Sequence, residues 1–322
     1  MTRPRAAGPP RATESPIWVH SGPLAMVKKL GILGLGLMGG SLGLAAKRRG
    51  LATCVTGFAR REEIRKRALE MHAVDMVFAQ PEDAVADADL TVLCVPVLAM
   101  SELVRRCAPY FPARGVITDV GSTKARLVEE MRAVLAGSPA VFVGSHPIAG
   151  SERSGIEAAR ADLYERSVVV VTPAADTPCW AQDRVSEFWT RLNCSVRISD
   201  PGEHDRIIAL TSHLPHLVAA TLVVAVYGEA GDAADFCGGG FRDTTRVAAG
   251  SEDVWHDIVK SNQPAVMAAL ERYGELFERV RGLIAGNDFE GLRRFLAEAR
   301  VQRQAVVAAL EKRKNERGRL QD

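Results

Sequence analysis

From Lys28 onward, apolar positions arrive in short continuous runs separated by segments with helical spacing. The runs are "KLGILGLG", "TCVTGF", "LTVLCVP", "GVITDVG" and "AVFVGSH". Between them lie "MGGSLGLAAKRRG", "REEIRKRALEMH", "MSELVRRCAPYF" and "KARLVEEMRAVLAG", each reading as an amphipathic helix. A strand apolar on both faces is covered on both faces, and repeated strand–helix alternation predicts a parallel sheet between helical layers. "SVVVVTP" (167–173) and "SVRISD" (195–200) read as strands extending that sheet, with a helix around "AQDRVSEFWTRL" between them. After Pro201 the texture changes. Stretches 203–227, 253–284 and 288–314 are long and helically periodic, and no convincing strand follows. The pattern predicts a Rossmann-type, doubly wound α/β parallel sheet followed by an all-α helical domain. The divisions expected are an N-terminal extension over 1–26, a dinucleotide-binding domain over 27–201 and a helical substrate and dimerisation domain over 202–322.

Composition changes this picture little. The chain has 322 residues, 47% hydrophobic and 25% charged, which is ordinary for a globular protein. Its net charge of +2 is accounted for by Arg3, Arg5 and Arg11 against Glu14, so the remainder is neutral and no nucleic-acid partner is expected. Residues 1–25 are Pro-, Arg-, Ala- and Gly-rich without periodicity and read as disordered, and Met26 stands directly before the first strand as a possible start. The six cysteines form no CxxC pair and no metal-ligand spacing, so free thiols in the cytoplasm and no metal are expected. The uncharged stretch Leu30 to Ala46 resembles a short membrane span by length, but its six glycines make it a poor lipid-facing helix, and no membrane role is expected.

The glycines of that stretch have a better use. Gly34, Gly36 and Gly39 stand in G-x-G-x-x-G spacing, after the first strand and at the opening of the first helix. They permit a tight turn, close approach of backbone to a pyrophosphate, and tight helix–strand packing. Leu35, Leu37 and Met38 between them, with Val95 and Pro96 after "LTVLC", complete the expected cofactor contacts. The second strand ends in "GFARRE". Ala59 occupies the place where an NAD site usually carries an acid, and Arg60 and Arg61 follow. Guanidinium groups suit a 2′-phosphate, which favours NADP over NAD, with Glu62 or Glu63 the alternative route to a ribose.

Three stretches carry candidate chemistry. "TDVGSTK" ends a parallel strand with Ser122, "SHPIAGSE" supplies His146 and Glu152, and "TSHLPHLVAA" carries His213 and His216 around Pro215, which is expected to kink its helix. Asp243 and Arg246 in "GFRDTTRVA" and Trp255 in "SEDVWHDI" add charged and aromatic groups from the helical domain. For His204 and Asp205, capping and solvation suffice.

In this order the motifs "GLGLMGGSLG", "VGSTK", "GSHPIAGSE", "TSHLPH" and "GFRDTTRVA" resemble the prephenate/arogenate dehydrogenase family over residues 28–310. The resemblance implies oxidative decarboxylation: hydride leaves the carbon bearing the ring hydroxyl, the ring carboxylate departs as CO2, and the ring becomes aromatic. By resemblance His146 accepts the hydroxyl proton and Ser122 helps hold that hydroxyl. Arg246 is the candidate for a substrate carboxylate, which of the two being open. Glu152 and Asp243 are read as carboxylates tethering Arg246, His216 as lining the substrate pocket, and Trp255 as its floor or as core. Prephenate and arogenate are not distinguished. A β-hydroxyacid-type dehydrogenase is disfavoured, because no lysine lies between Lys124 and Lys260. A non-catalytic NAD(P)-binding sensor is disfavoured by the intact Ser122, His146 and Arg246. The apolar run "LVAATLVVAVY" exceeds what one small bundle buries and predicts a homodimer.

Overall fold

The computed structural model describes residues 25–150, 153–229 and 233–319. Six parallel strands form one sheet in the order β3-β2-β1-β4-β5-β6. They are β1 (Val27–Leu33), β2 (Ala52–Phe58), β3 (Met76–Phe78), β4 (Leu90–Leu93), β5 (Val116–Asp119) and β6 (Val141–Phe142). Their connections carry α1 (Leu37–Arg48), α2 (Glu62–Glu70), α3 (Pro81–Val85), α4 (Val97–Cys107) and α5 (Ala125–Val134).

Alternate strand residues feed opposite cores, as the strand period of two requires. Ile32, Val92 and Val116 pack with Leu42 of α1, while their neighbours Leu33, Leu93 and Ile117 pack with Met100 of α4 and Met131 of α5. Side chains of this size contribute about 1.5–3 kcal/mol each when fully buried. That double burial explains why the sequence runs are continuous rather than alternating.

The expected extension to a seven-stranded sheet does not form. "AVFVGSH" divides: β6 stays in the large sheet, and β7 (Gly144–Pro147) turns away into a second sheet of order β7-β8-β9. There β7 runs antiparallel to β8 (Val168–Thr172), and β8 pairs parallel with β9 (Ser195–Ile198), the two joined through α6 (Cys179–Arg191). Val143 N still donates to Ile117 O at 2.8 Å, so departure follows directly after it. Gly144 makes the crossing possible, since a Cβ there would lie 2.5 Å from Thr172 Oγ1. The switch turns Ser145 and His146 toward the end of β5, where Ser145 N donates to Asp119 Oδ1 at 2.9 Å.

Among the described residues no strand follows β9. α7 (Pro201–Ile208) begins with Pro201 in its first turn, and the Asp200 carboxylate accepts from Gly202 N and Glu203 N at 2.8 and 3.0 Å. A π-helical turn over Ala209–His213 joins it to α8 (Leu214–Glu229). Pro215 brings no N–H to the α-helical ladder, so the expected distortion is a widened turn just before it. α9 (Gly239–Thr245), a 3-10 turn (Arg246–Ala249), α10 (Glu252–Ser261), α11 (Gln263–Ala285) and α12 (Phe289–Arg319) complete the domain. Stretch 253–284 is thus two helices, broken at Asn262, whose Nδ2 donates back to Asp205 O at 2.9 Å.

Candidate active site

The turn after β1 has the geometry its glycines imply. Gly34 sits at φ +106°, and a Cβ on Gly39 would lie 1.8 Å from Gly34 O, so both positions need glycine for the fold itself. Gly36 differs: a Cβ there would meet nothing within 4 Å, so its open face is free for a ligand to approach the backbone at the start of α1. These residues fit a dinucleotide pyrophosphate. Leu35 contributes only backbone to such a contact, because its side chain is buried in the core against Gly57.

A cavity of about 420 Å³ opens beyond the ends of β2 and β4, lined among others by Phe58, Arg60, Val95, Pro96 and Leu103. No carboxylate pairs with Arg60 among the described residues. Arg61 lies 3.5 Å from Glu63 and is turned to solvent, and Glu62 pairs with Lys66 at 2.7 Å. Both acids that could have reached a ribose are therefore engaged locally.

A second cavity, of about 290 Å³, brings Ser122 and His146 together. Met38, Val95 and Pro96 line its cofactor side, and Val254, Asp257 and Ile258 of α10 close it from the helical domain. Ser122, just beyond β5, makes no hydrogen bond through its hydroxyl among the described residues and is free to meet a ligand. Beneath it Lys124 and Asp119, both fully buried, form an ion pair, and Lys124 Nζ also donates to Ser145 O at 3.1 Å. Asp119 Oδ2 accepts from Gly121 N at 2.8 Å, so this pair ties the Ser122 loop to the strand carrying His146.

His146 is 9% exposed. Its Nδ1 lies 2.9 Å from Nε2 of His204, and Nδ1 of His204 lies 2.7 Å from Asp205 Oδ1. Asp205 also accepts from Lys124 N and Ala125 N at 2.7 and 2.8 Å, capping α5 from another helix. His146 Nε2 makes no hydrogen bond among the described residues. Burial, reinforced by the neighbouring His204, Lys124 and His213, holds its imidazole well below the ordinary histidine range, so it is neutral near pH 7.

This overturns the reading of His204 and Asp205 as solvated capping residues: they are 2% and 3% exposed and wired to His146. A signal was present in "DPGEHDR". Asp200 already caps α7, so residues in its second turn had no capping work left. Asp257 of the cavity wall was likewise not anticipated.

Among the described residues, His216, Trp255, Arg246 and Asp243 do not line the His146 cavity. His216, 6% exposed, stacks on Trp255 with ring centroids 3.5 Å apart, and Gly250 leaves the space for that pair. Among the described residues His216 Nδ1 is buried without a partner, and burial lowers its pKa, partly offset by a backbone contact at Val247. His213 stands edge-on to the same Trp255, and burial depresses it to about 4, which suits a structural neutral imidazole. Arg246 is exposed on the 3-10 turn packed against α8. Asp243 lies 3.6 Å from Arg242, not on Arg246, so the expected tether is not formed by Asp243. Glu152 lies outside the described residues.

Comparison with known proteins follows this division. Residues 42–198 match the family model "Prephenate dehydrogenase, nucleotide-binding domain", and residues 200–298 match "Prephenate dehydrogenase, dimerization domain". The chain is 33% identical over 287 residues to the cyclohexadienyl dehydrogenase of Zymomonas mobilis, covering 88% of this chain and 97% of that protein. It is similar to the crystal structure of Aquifex aeolicus prephenate dehydrogenase in complex with hydroxyphenyl propionate and NAD+, with TM-score 0.80, 30% identity and coverage of 87% and 98%. Synechocystis arogenate dehydrogenase gives TM-score 0.75, 28% identity and coverage of 86% and 99%.

Proposed function

The chain belongs to the prephenate dehydrogenase family and is an NAD(P)-linked oxidoreductase of tyrosine biosynthesis, and from that premise we propose how its own residues carry the oxidative decarboxylation. The observation that carries the reading is the single cavity joining Ser122 and His146 to Met38, Val95 and Pro96. Met38, Val95 and Pro96 would hold the nicotinamide, which would supply the acceptor for the hydride on the carbon bearing the ring hydroxyl. His146 Nε2 accepts that hydroxyl's proton as the carbonyl develops, while Ser122 Oγ orients the same oxygen. The C–CO2 bond electrons then enter the ring as CO2 leaves, and the phenolate oxygen so formed takes the proton back from His146. Aromatisation drives the step, so the protein's work is positioning. Arg246 offers a planar guanidinium to a substrate carboxylate, with His216 and Trp255 nearby shaping the substrate side. Glu152 is assigned as the carboxylate tethering Arg246, a role that Asp243 does not take because its carboxylate lies beside Arg242.

NADP is the assigned cofactor. The support is Arg60 on the wall of the larger cavity without a carboxylate partner, and Glu62 and Glu63 engaged elsewhere. Arogenate is the assigned substrate alongside prephenate, because Asp257, whose Oδ1 also lies 3.1 Å from His256 Nδ1, places a carboxylate on the cavity wall to which a substrate ammonium can pair.

The helical domain serves a homodimer. Its own buried core is small, centred on Ala209, Val266 and Ala269, while Val224, Phe277, Leu296 and Val301 are exposed. The helical run Pro201–Glu229, whose most apolar 18-residue window has mean hydropathy 1.8, is long and apolar enough to cross a membrane. Its buried His204, His213 and His216 dock it against the rest of the chain instead, which leaves its outer face for a second copy. The free cysteines support a cytoplasmic location.

Purified protein tests the reading with prephenate or arogenate, each with NAD or NADP, followed by absorbance of the reduced cofactor. Turnover fastest with NADP, and with arogenate accepted, is expected. Absence of turnover in every combination overturns the mechanism, and a monomer by light scattering overturns the dimer.

A further inference from the structure

We infer that His204 and Asp205 are positioning residues that determine which ring nitrogen of His146 carries the hydrogen. The inference rests on the reading of His146 as the proton acceptor. It begins from the backbone. The N–H groups of Lys124 and Ala125 can only donate, and they donate to Oδ1 and Oδ2 of Asp205 at 2.7 and 2.8 Å. Asp205 is thereby pinned as an acceptor at both oxygens. Oδ1 also lies 2.7 Å from His204 Nδ1, so that nitrogen must hold a hydrogen and donate it.

A neutral imidazole has one N–H. With it committed to Asp205, Nε2 of His204 is a bare lone pair, and it lies 2.9 Å from His146 Nδ1. His146 must then donate from Nδ1, which leaves its own Nε2 as the bare nitrogen. Nε2 is the atom that has no other bond among the described residues, on a side chain lining the cavity with Ser122. The chain Asp205–His204–His146 therefore delivers an acceptor, not a donor, to the substrate hydroxyl. A doubly protonated His204 would reverse this, placing a hydrogen on His146 Nε2 and pointing a donor at a donor.

The relay also crosses the joint between the two halves of the chain. His204 and Asp205 sit on α7, His146 on β7, and Asp205 is at once the cap of α5. Asn262 at the α10–α11 break holds the backbone of Asp205 at 2.9 Å, and Thr123 Oγ1 meets Ser261 Oγ at 2.8 Å beside it. The tautomer of the base is thus set only when α7 is docked on the strand ends.

Long-range 1H–15N correlation spectra of full-length protein labelled with 15N-histidine read the tautomer directly, without substrate or cofactor. The His146 signals are identified by their loss in His146→Gln. The expected result is hydrogen on Nδ1 and a bare Nε2 in the unmutated protein. In His204→Phe and Asp205→Ala, which remove the acceptor for His146 Nδ1 and for His204 Nδ1 respectively, the hydrogen is expected to move to Nε2, with kcat down by about 10²-fold or more and cofactor Kd unchanged. His204→Gln, whose amide oxygen can still accept from His146 Nδ1, is expected to retain more turnover than His204→Phe. Hydrogen on Nε2 in the unmutated protein overturns the inference, even if both variants fail to fold. So does wild-type kcat in folded His204→Phe. If His146→Gln itself keeps full turnover, the assignment of the base has failed instead, and the tautomer measurement still stands alone.

Discussion

His146 and His204, 58 residues apart in the chain, meet through ring nitrogens 2.9 Å apart, with their rings edge to face. Each comes from a different half of the molecule. The contact makes the end of β7 more than a loop: a strand that leaves the main sheet after Val143 carries its histidine into a buried bond made by the helical domain. The chemistry assigned to the cavity depends on that imidazole being neutral and turned the right way.

The protonation state yields a pH prediction. Burial depresses His146 first, and His204, Lys124 and His213 add to the effect, so its free base persists below the ordinary histidine value of about 6.5. Protonation removes the lone pair, so kcat/KM falls as pH drops through the depressed pKa. The acid limb of the kcat/KM profile is expected below about pH 6.5. A limb above that value, moved by no other variant, contradicts a neutral buried base.

The two glycines of the first turn should respond in opposite ways. Gly36→Ala meets no protein atom, so the fold is expected to hold while cofactor KM rises about 10-fold or more, because the new Cβ stands where a pyrophosphate approaches. Gly39→Ala runs into Gly34 O and is expected to destabilise the protein by about 1–3 kcal/mol. Thermal unfolding and cofactor titration separate the two. Equal loss of stability in both would remove Gly36 from the ligand's path.

Arg60 is the test of cofactor choice. Arg60→Ala should lower kcat/KM for NADP by about 10-fold or more, the worth of a charge-assisted hydrogen bond, and leave NAD nearly unchanged. Parallel loss with both cofactors would mean that Arg60 supports the cavity wall rather than a 2′-phosphate.

Lys124 is fully buried against Asp119. Lys124→Met leaves that carboxylate with only the N–H groups of Ser145 and Gly121, and about 3–5 kcal/mol of stability should be lost. Urea unfolding measures it. A change below about 1 kcal/mol would show that the pair is not needed to hold the strand end.

Much of this architecture was legible from residue order. The continuous apolar runs announce a doubly covered sheet, the glycine spacing announces its ligand, and Ser122 and His146 do meet in one cavity. What escaped was set by tertiary geometry. "AVFVGSH" reads as one strand, because nothing local marks Gly144 as the crossing point until Thr172 is seen beside it. His204 and Asp205 look like polar residues at a helix start, and only the docking of α7 on α5 turns them inward. The family resemblance implies Asp243 as a partner for Arg246, yet its carboxylate lies beside Arg242. Arg246, His216 and Trp255 enter through the resemblance, and motif order carries no sign that they do not line the His146 cavity.

The most direct measurement of the central claim is kcat for wild-type protein and His146→Asn with saturating substrate and cofactor, alongside cofactor Kd for each. The account predicts a fall in kcat of about 10²–10⁴-fold with Kd unchanged, the loss expected when a positioned base is removed from a site otherwise intact. A variant turning over within about threefold of wild type, a difference under about 1 kcal/mol, would contradict it.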